Sequence, residues 1–344
     1  MTWTTLLTSA VVAAVVAGVF TLINNRVTLY TTYKLEQKKE LKNLIGDYHG
    51  RMLEAARDWD RRMRRLYEPK GTDHMAPHGG CYDHEEYLYL SVVFRFLSLL
   101  GIARKFESHA FYIDSRIAQR NDLYFLRYAK SFLWVMTDSN LTPDDGMPAR
   151  DHFLNDEFRP LLDMCYRRQE GVLPENEPKE GELVFDWQRF LVLLDESRPP
   201  GNDDKQNPRV KPKANDGLDP DIQKKIRQVL GFFDGIRPHE YDGDNKKRRR
   251  WERIICLHLL TICFIGTFGY PWEKKKQKID EIRGAAIIAL KNEAACTTGN
   301  QISVLKAFRD NLYLMTGMDG EEQIKRLEHD LTDAISALPS QLGR

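Results

Sequence analysis

The stretch WTTLLTSAVVAAVVAGVFTLI, residues 3–23, carries no charged side chain. As an α-helix, its 21 residues would rise about 31 Å, which is close to the hydrocarbon thickness of a bilayer. Trp3 lies at one end, where an amphipathic ring favours the membrane interface, and Asn24, Asn25 and Arg26 follow the other end. The stretch therefore predicts a transmembrane anchor over residues 1–26, followed by a chain that lies outside the bilayer.

A cleaved signal peptide is the alternative explanation for this stretch. Signal peptides begin with a basic region and have a shorter apolar run, whereas no Lys or Arg precedes Leu6. Basic residues follow the stretch instead, at Arg26, Lys34, Lys38, Lys39 and Lys42. Cytoplasmic flanks of membrane helices are enriched in such residues. We therefore expect an uncleaved anchor in the plasma (inner) membrane, with the N-terminus outside and the body in the cytoplasm.

Three small residues, Ala10, Ala14 and Gly18, recur at every fourth position of the predicted anchor. This spacing lets two membrane helices approach closely, and it predicts a homo-oligomer packed through that stripe. The alternative is that Ala and Gly are simply common in membrane helices, in which case the stripe has no packing role.

Residues 27–70 are predicted to continue the helix as a stem. Its apolar side chains recur in steps of four and three, as in a heptad seam: Leu41, Ile45, Tyr48, Met52, Ala55, Trp59 and Leu66. The pattern fits either a two-stranded coiled coil or one amphipathic helix that packs its stripe onto the body. Gly46 and Gly50 lower helix propensity, and Arg62 interrupts the seam. The basic run from Arg57 to Arg65 is expected to be a solvated helix face, or else a surface for lipid head groups or nucleic acid.

The rest of the chain reads as a multi-helix body, so the predicted fold class is all-α. Helical apolar patterns occupy about 84–100, 109–137, 150–168, 183–195, 220–235, 246–268, 272–292, 301–316 and 320–337. In the last of these, Leu327, Leu331 and Ile335 are expected to face inward. Residues 197–219 are rich in Pro, Gly, Asn and Lys, which is typical of a linker or disordered loop. That loop divides the body into a first part, residues 71–196, and a second part, residues 220–344.

One internal segment, Ile254 to Tyr270, reads IICLHLLTICFIGTFGY and is nearly all apolar. It is flanked by basic residues on both sides and is at the short limit for a membrane span. The segment therefore predicts either a central buried helix of the body or a second helix that enters the membrane. His258 within it is expected to be a hydrogen-bonded core histidine.

Composition excludes several broad classes of protein. Hydrophobic residues make up 42% and charged residues 29%, with a formal net charge of +1, which is an ordinary globular balance without a global bias toward nucleic acid. The five cysteines are odd in number and show no disulfide framework, which is typical of a reducing compartment. Cys256 and Cys263 share one helical face and are expected to be small buried hydrophobes.

Ligand-type side chains are densest between residues 73 and 84. His74, His78, Cys81 and His84 have a spacing that could wrap one zinc ion in a Gly-rich loop, because imidazole and thiolate suit zinc. The pattern lacks the paired CxxC elements of typical zinc sites, and Asp83 is explained as the cap of the next helix. The alternative is a polar surface loop without a cofactor.

Two Arg-x4-His pairs occur, Arg104/His109 and Arg253/His258. The first resembles the Arg-x4–6-His signature of the all-helical HEPN ribonucleases, although Lys105 stands where that family has a polar Asn, Asp or His. The resemblance implies that His109 would act as a general acid–base and that Arg104 would stabilise phosphate charge. About two such pairs are expected by chance in a chain of this composition.

No Gly-rich phosphate loop, nucleophile elbow or HExxH motif is present in the sequence. The basic run Lys246–Arg250 is expected to be a solvated helix start, or else a contact for nucleic acid or lipid. We therefore predict a non-catalytic, membrane-tethered binding, scaffold or effector protein that acts through a homo-oligomer or a protein partner. By analogy of layout, it would be an accessory or membrane effector of a bacterial defence or signalling system. The alternative is a membrane-anchored hydrolase, either HEPN-like or zinc-dependent.

Overall fold

The computed structural model of the protein describes residues 3–67, 84–111, 117–141, 151–165, 187, 190–191, 220–234, 236, 245–295 and 303–337. Within these ranges every regular element is a helix, which confirms the predicted all-α class. The α-helices are α1 (Trp3–Leu66), α2 (His84–Ala110), α3 (Arg120–Thr137), α4 (Asn155–Cys165), α5 (Pro220–Phe233), α6 (Asn245–Phe268), α7 (Lys276–Ala295), α8 (Ser303–Thr316) and α9 (Glu322–Ser336). A short 3-10 helix, Ser139–Leu141, follows α3.

Helix α1 joins the predicted anchor and the predicted stem without a break. Its 64 residues would span about 96 Å at the usual rise of an α-helix. Gly46 and Gly50 lie inside it on exposed positions, where the cost of glycine is about 1 kcal/mol each and packing on the opposite face outweighs it. The predicted anchor and the predicted stem are therefore parts of one continuous helix.

The apolar stripe of the stem packs against the body of the same chain. Its members are buried or partly buried there: Leu41, Ile45, Tyr48, Met52, Ala55, Trp59 and Leu66. The structure therefore shows the second of the two alternatives, an amphipathic helix whose apolar stripe packs onto the body of the same chain. A coiled coil through the same stripe would require these side chains to leave their contacts with the body.

Helices α2, α3 and α6 surround the C-terminal half of α1. Trp59 lies 5.9 Å from the ring of Phe96 and Tyr48 lies 5.6 Å from that of Phe106, so α2 runs antiparallel to α1. Helix α6 is antiparallel as well, because Tyr67 contacts Trp251 near its start and His49 contacts Phe268 at its end. The end of α6 therefore lies on the same side of the body as the point where α1 enters it.

Helix α6 is the central helix of the body. Among the described residues, Lys247–Phe268 is the one helix long and apolar enough to cross a membrane, but 83% of its most apolar part is buried inside the body. Buried core helices have the same composition, because both are apolar on every face. The segment from Ile254 onward is therefore a core helix here, and Cys256 and Cys263 are buried in it as predicted.

One predicted helix boundary is wrong. The apolar pattern at 84–100 predicts a helix that ends at Leu100, where Gly101 would suit the C-terminal stop, but α2 continues through Gly101 to Ala110. The neighbours Leu99, Leu100, Ile102 and Ala103 are all buried, so tertiary packing on several faces outweighs the low helix propensity of glycine.

A single hydrophobic core includes residues from both predicted parts of the body. Phe96 of α2 meets Phe233 of α5 with ring centroids 4.9 Å apart, and Phe125 of α3 meets Phe264 of α6 at 5.7 Å. In α9, Leu327 and Leu331 are buried and Ile335 is partly buried, as the sequence predicts. The predicted linker 197–219 and most of the pattern at 183–195 lie outside the described residues.

Candidate functional site

The N-terminal half of α1 projects from the body, and we call residues 16–40 the projecting segment. Its large apolar side chains are exposed, and Phe20 exposes 73% of its surface. They are Val16, Val19, Phe20, Leu22, Ile23, Val27, Leu29, Tyr30, Tyr33 and Leu35. A contiguous apolar surface of this kind marks an interaction with a membrane or with another protein.

The C-terminal end of α1 is tied to α6 by a buried polar chain, which we call the α1–α6 junction. The hydroxyl of Tyr67 lies 2.7 Å from Nδ1 of His258, and Nε2 of His258 lies 3.0 Å from Oδ1 of Asp60. Arg64 completes the chain, with Nη2 donating to Oδ2 of Asp60 at 2.5 Å. His258 is fully buried and Asp60 nearly so. Every side chain of the junction therefore has a hydrogen-bond partner.

Burial and charge decide the protonation states at the junction. Burial lowers the pKa of His258, and this outweighs the opposite effect of Asp60. Burial alone would raise the pKa of Asp60, but its hydrogen bonds and charge interactions with His258 and Arg64 hold that pKa below its usual value. A neutral imidazole next to a carboxylate fits the geometry, since the Tyr67 hydroxyl then donates to Nδ1 and Nε2–H donates to Asp60.

The junction contains side chains that are also used in acid–base catalysis, but its position excludes that role. Both ring nitrogens of His258 are engaged, and no part of its surface reaches solvent. A general acid or base must lie within hydrogen-bond reach of a substrate. The junction is therefore a structural link that fixes α1 against α6, and it confirms the predicted hydrogen-bonded core histidine.

The junction predicts that the body loses stability as the pH falls from 7 to 5. In the unfolded chain His258 would bind a proton below about pH 6.5, whereas the folded body keeps it neutral to lower pH, so the unfolded state binds more protons. One such group gives a slope of up to about 1.4 kcal/mol per pH unit. The depressed pKa of Asp60 acts in the same direction at still lower pH. Chemical unfolding in a nonionic detergent should show a shallower slope for His258→Gln.

The matched control for this measurement is His329→Gln, because His329 is exposed on α9. That variant should keep the full pH slope of the unmodified chain. An equal slope in the His258→Gln variant would contradict the assignment of the slope to the junction.

The turn after α6 is fixed to α1 by a second polar contact. Arg57 donates through Nη2 to Oε2 of Glu273 at 2.7 Å, and its guanidinium lies 4.6 Å from the ring of Tyr270. Glu273 also accepts from the backbone N–H of Tyr270 at 2.9 Å. Burial would raise the pKa of Glu273, but the hydrogen bond from Arg57 outweighs it and the pKa is lowered. This turn therefore has a defined conformation against the stem.

A third polar cluster joins α3, α6 and the start of α9. The hydroxyl of Tyr128 donates to Oε2 of Glu321 at 3.1 Å, and Thr267 donates to Oε1 of Glu321 at 2.9 Å. The backbone N–H of Ile324 also donates to Glu321, which is therefore the N-cap of α9. Burial raises the pKa of Tyr128 well above its usual value, so its hydroxyl stays protonated and remains a donor.

The residues of the HEPN-like hypothesis bond to different partners. Arg104 pairs with Asp163 at 3.1 Å and with Glu107 at 3.1 Å. Nδ1 of His109 lies 3.0 Å from the hydroxyl of Tyr48, and burial together with Lys105 lowers the pKa of this histidine. The structure therefore places the two residues in separate contacts.

The candidate zinc ligands cannot be placed. His74, His78 and Cys81 lie outside the described residues, and so does the side chain of His84 at the start of α2. In the part of the chain that the structure describes, no group of three or more His, Cys, Asp or Glu side chains could hold a metal ion.

The membrane-packing candidates fall within α1. The side chains of Ala10 and Ala14 lie outside the described set, and Gly18 is exposed, with no atom within 4 Å of the position a Cβ would take. The three positions lie in one continuous helix, and their role in packing two anchors stays a prediction.

Both basic runs are more buried than a solvated helix face would be, so that expectation is wrong for them. In the run from Arg57 to Arg65, Trp59, Asp60, Arg62 and Met63 are buried against the body. In the run Lys246–Arg250, Arg248 is buried, and Arg250 donates to the carbonyl of Gly231 at 2.9 Å near the end of α5. These arginines are used between helices because helix C-termini and buried carboxylates need cationic partners.

A groove of about 590 Å³ lies between α7 and α9. Arg283 lies along it and is paired with Asp330 at 2.5 Å and Asp280 at 2.6 Å. The guanidinium of Arg283 is therefore already bound to two carboxylates, whereas Lys276 and Lys291 also line the groove.

Sequence reasoning missed Asp60 and Tyr67 as partners of His258. The pattern that could have found them is a histidine inside an apolar helix, which demands a hydrogen-bond partner from another element. Asp60 and Asp58 both flank the buried Trp59, so the sequence offered two acids as acceptors at this point of the stem. Asp60 and His258 are 198 positions apart in the sequence, so only the packing of α6 on α1 brings them together.

No protein-family model, curated protein or solved structure matches this chain. Its function must therefore be inferred from its own geometry and chemistry.

Proposed function

We propose that the protein is a single-pass membrane protein whose helical body binds a protein partner or further copies of the chain, without catalysis. One observation carries this proposal. Helix α1 is continuous, residues 16–35 expose large apolar side chains, and the second half of the helix is part of the core of the body. A helix with these two halves suits a membrane tether that is rigidly joined to a soluble domain.

The charge-free stretch of residues 3–23 supports insertion of the first half into a bilayer. Its length matches the hydrocarbon thickness, and the exposed side chains that follow it include Tyr30 and Tyr33, which favour membrane interfaces. The basic residues after the stretch support the orientation with the body in the cytoplasm.

The α1–α6 junction supports a mechanical role for the tether. Asp60 and Tyr67 hold α6 to the same helix that carries the anchor. A rotation or a displacement of the anchor would therefore move the whole body. If Ala10, Ala14 and Gly18 pack two anchors together, they also set the relative orientation of two bodies.

Three buried ionisable groups with shifted pKa values support a structural role rather than a catalytic one. The side chains of His258, Asp60 and Tyr128 are buried and bonded between helices. Active sites need perturbed groups that a substrate can reach. In the described parts of the chain these groups connect helices instead.

The proposed membrane anchor predicts that two charged substitutions within it convert the protein from resistant to fully extractable by alkaline carbonate. The full chain should remain in the membrane pellet after alkaline carbonate treatment, whereas the double variant Val16→Asp/Val19→Asp should be released. Each carboxylate costs up to about 3 kcal/mol inside a membrane helix, so two of them remove the preference for the bilayer. The measurement is the fraction of protein in the supernatant.

The matched control is Val16→Leu/Val19→Leu, which keeps the segment apolar and should stay in the pellet. Release of the unmodified chain by carbonate would overturn the proposal. Protease added outside spheroplasts should spare the body, and its digestion would reverse the proposed orientation.

A further inference from the structure

We propose that residues 26–42 of α1 form a binding surface for anionic lipid head groups in the leaflet that faces the body. This inference rests on the proposed membrane anchor and names a partner for the region next to it. We call residues 26–42 the juxtamembrane segment. It begins where the charge-free stretch has ended and finishes where α1 enters the core at Leu41.

The juxtamembrane segment has a local excess of positive charge. Its basic side chains are Arg26, Lys34, Lys38, Lys39 and Lys42, against the two acids Glu36 and Glu40. The whole chain, in contrast, is almost neutral, with a formal charge of +1. Basic clusters directly cytoplasmic of a membrane helix are attracted to anionic lipids by about 1 kcal/mol per residue near the surface.

The structure leaves these charges available. Arg26, Lys34, Lys39 and Lys42 are exposed, and Lys38 is half-buried. Lys34 lies over the ring of Tyr30 at 4.4 Å, which joins a cation to an aromatic side chain within this segment. Glu40 accepts a hydrogen bond from Gln37 at 3.0 Å, so an amide holds this carboxylate. The positive charge is therefore presented outward.

The continuous helix sets the height of each residue above the bilayer. At the usual rise, Tyr30 lies about 9 Å beyond Asn24 and Lys34 about 15 Å beyond it. The head-group layer is about 5–8 Å thick, and the Debye length adds about 8 Å at physiological salt. Long lysine side chains bend toward the interface, and a tilt of about 20° lowers the helix further. The lipid surface is therefore the anionic partner within reach of this segment.

The first experiment measures lysine reactivity in the full chain. The protein is placed in nanodiscs of phosphatidylcholine alone or of phosphatidylcholine with phosphatidylglycerol, and an amine-reactive reagent is followed residue by residue by mass spectrometry. A surface potential of −30 to −50 mV concentrates protons about 3- to 7-fold and keeps nearby amines protonated. Labelling of Lys34 and Lys38 should therefore slow about 3- to 7-fold in the anionic discs.

Two exposed lysines of the body, Lys224 and Lys306, are internal controls and should label at the same rate in both discs. The difference at Lys34 should disappear in 1 M salt, where the Debye length is about 3 Å. Equal rates at Lys34 in the two discs would overturn the inference. Equal slowing at Lys306 would overturn it as well, because the effect would then not belong to the juxtamembrane segment.

The second experiment measures lipid selection. Discs formed from a lipid mixture around the full chain should contain more phosphatidylglycerol than empty discs. Replacement of Lys34, Lys38, Lys39 and Lys42 by Gln should return the composition to that of empty discs, whereas Lys224→Gln/Lys306→Gln should not. Unchanged enrichment in the quadruple variant would contradict the proposal. Failure of the unmodified chain to insert into any disc would instead contradict the proposed anchor, so the two failures are distinguishable.

Discussion

Replacement of Trp59 by Ala should lower the free energy of unfolding of the body by about 3–5 kcal/mol. Trp59 is fully buried on α1 and packs against Phe96 of α2 at 5.9 Å between ring centroids. It lies in the half of α1 that α2 and α6 enclose. The loss of its side chain removes buried apolar area and leaves a cavity that a rigid neighbouring helix cannot fill. Thermal and chemical unfolding in a nonionic detergent would measure the change.

Trp272→Ala is the matched control for this prediction. Trp272 exposes 61% of its surface in the turn after α6, where it stacks on Tyr270 at 4.6 Å. Its replacement should change the stability by less than about 0.5 kcal/mol, as surface substitutions usually do. Similar effects of the two variants would mean that α1 does not occupy the core as described.

The variant Asp60→Ala should also be destabilising, by about 1–3 kcal/mol, because it removes one partner from a buried polar chain. Without this carboxylate, Nε2–H of His258 is left buried without an acceptor, and Arg64 loses its partner. An unsatisfied buried donor costs the full desolvation of that group. The same unfolding measurements apply. The slope between pH 7 and pH 5 should remain in this variant, because Asp60 raises the pKa of the buried His258 and its loss lowers that pKa further.

Asp58→Ala is the matched control, since Asp58 and its partner Arg61 are both exposed. An exposed ion pair contributes about 0–1 kcal/mol, so this variant should be close to neutral. The triple variant Asp60→Ala/Tyr67→Phe/His258→Leu tests the cause, because it replaces the three buried polar groups of the junction with apolar ones. It should be more stable than Asp60→Ala alone. If it were less stable by a further full increment, these side chains would be acting independently.

The sequence was sufficient for the class of fold and for most helices. Amphipathic patterns locate α5 to α9 within a few residues, because each of these helices turns apolar side chains toward a common core. The pattern at 109–137 begins eleven residues before α3, and the pattern at 150–168 begins five residues before α4. The burial of α6 follows from its composition, although the same composition also permits a membrane span. The end of α2 was mispredicted because the local propensity of Gly101 does not include the packing on both sides of it.

The polar contacts between helices could be predicted only in part. His258 was recognised as a core histidine from the apolar residues around it. Its partners could not be identified, because nothing local distinguishes Asp60 from the exposed Asp58 two positions before it. Their difference depends on the rotation of α1 against α6. The same applies to Arg248, whose basic neighbours indicate solvent although the side chain is buried.

The long separation between α1 and α6 has a consequence during synthesis of the chain. The stem of α1 leaves the ribosome first, and His258, which completes the junction, is made 198 residues after Asp60. At about 5–20 residues per second, this interval lasts about 10–40 s. During that time Trp59 and its apolar neighbours on the stem still lack α6. The core therefore closes late in synthesis, and the apolar stripe of the stem remains incompletely covered until α6 has been made.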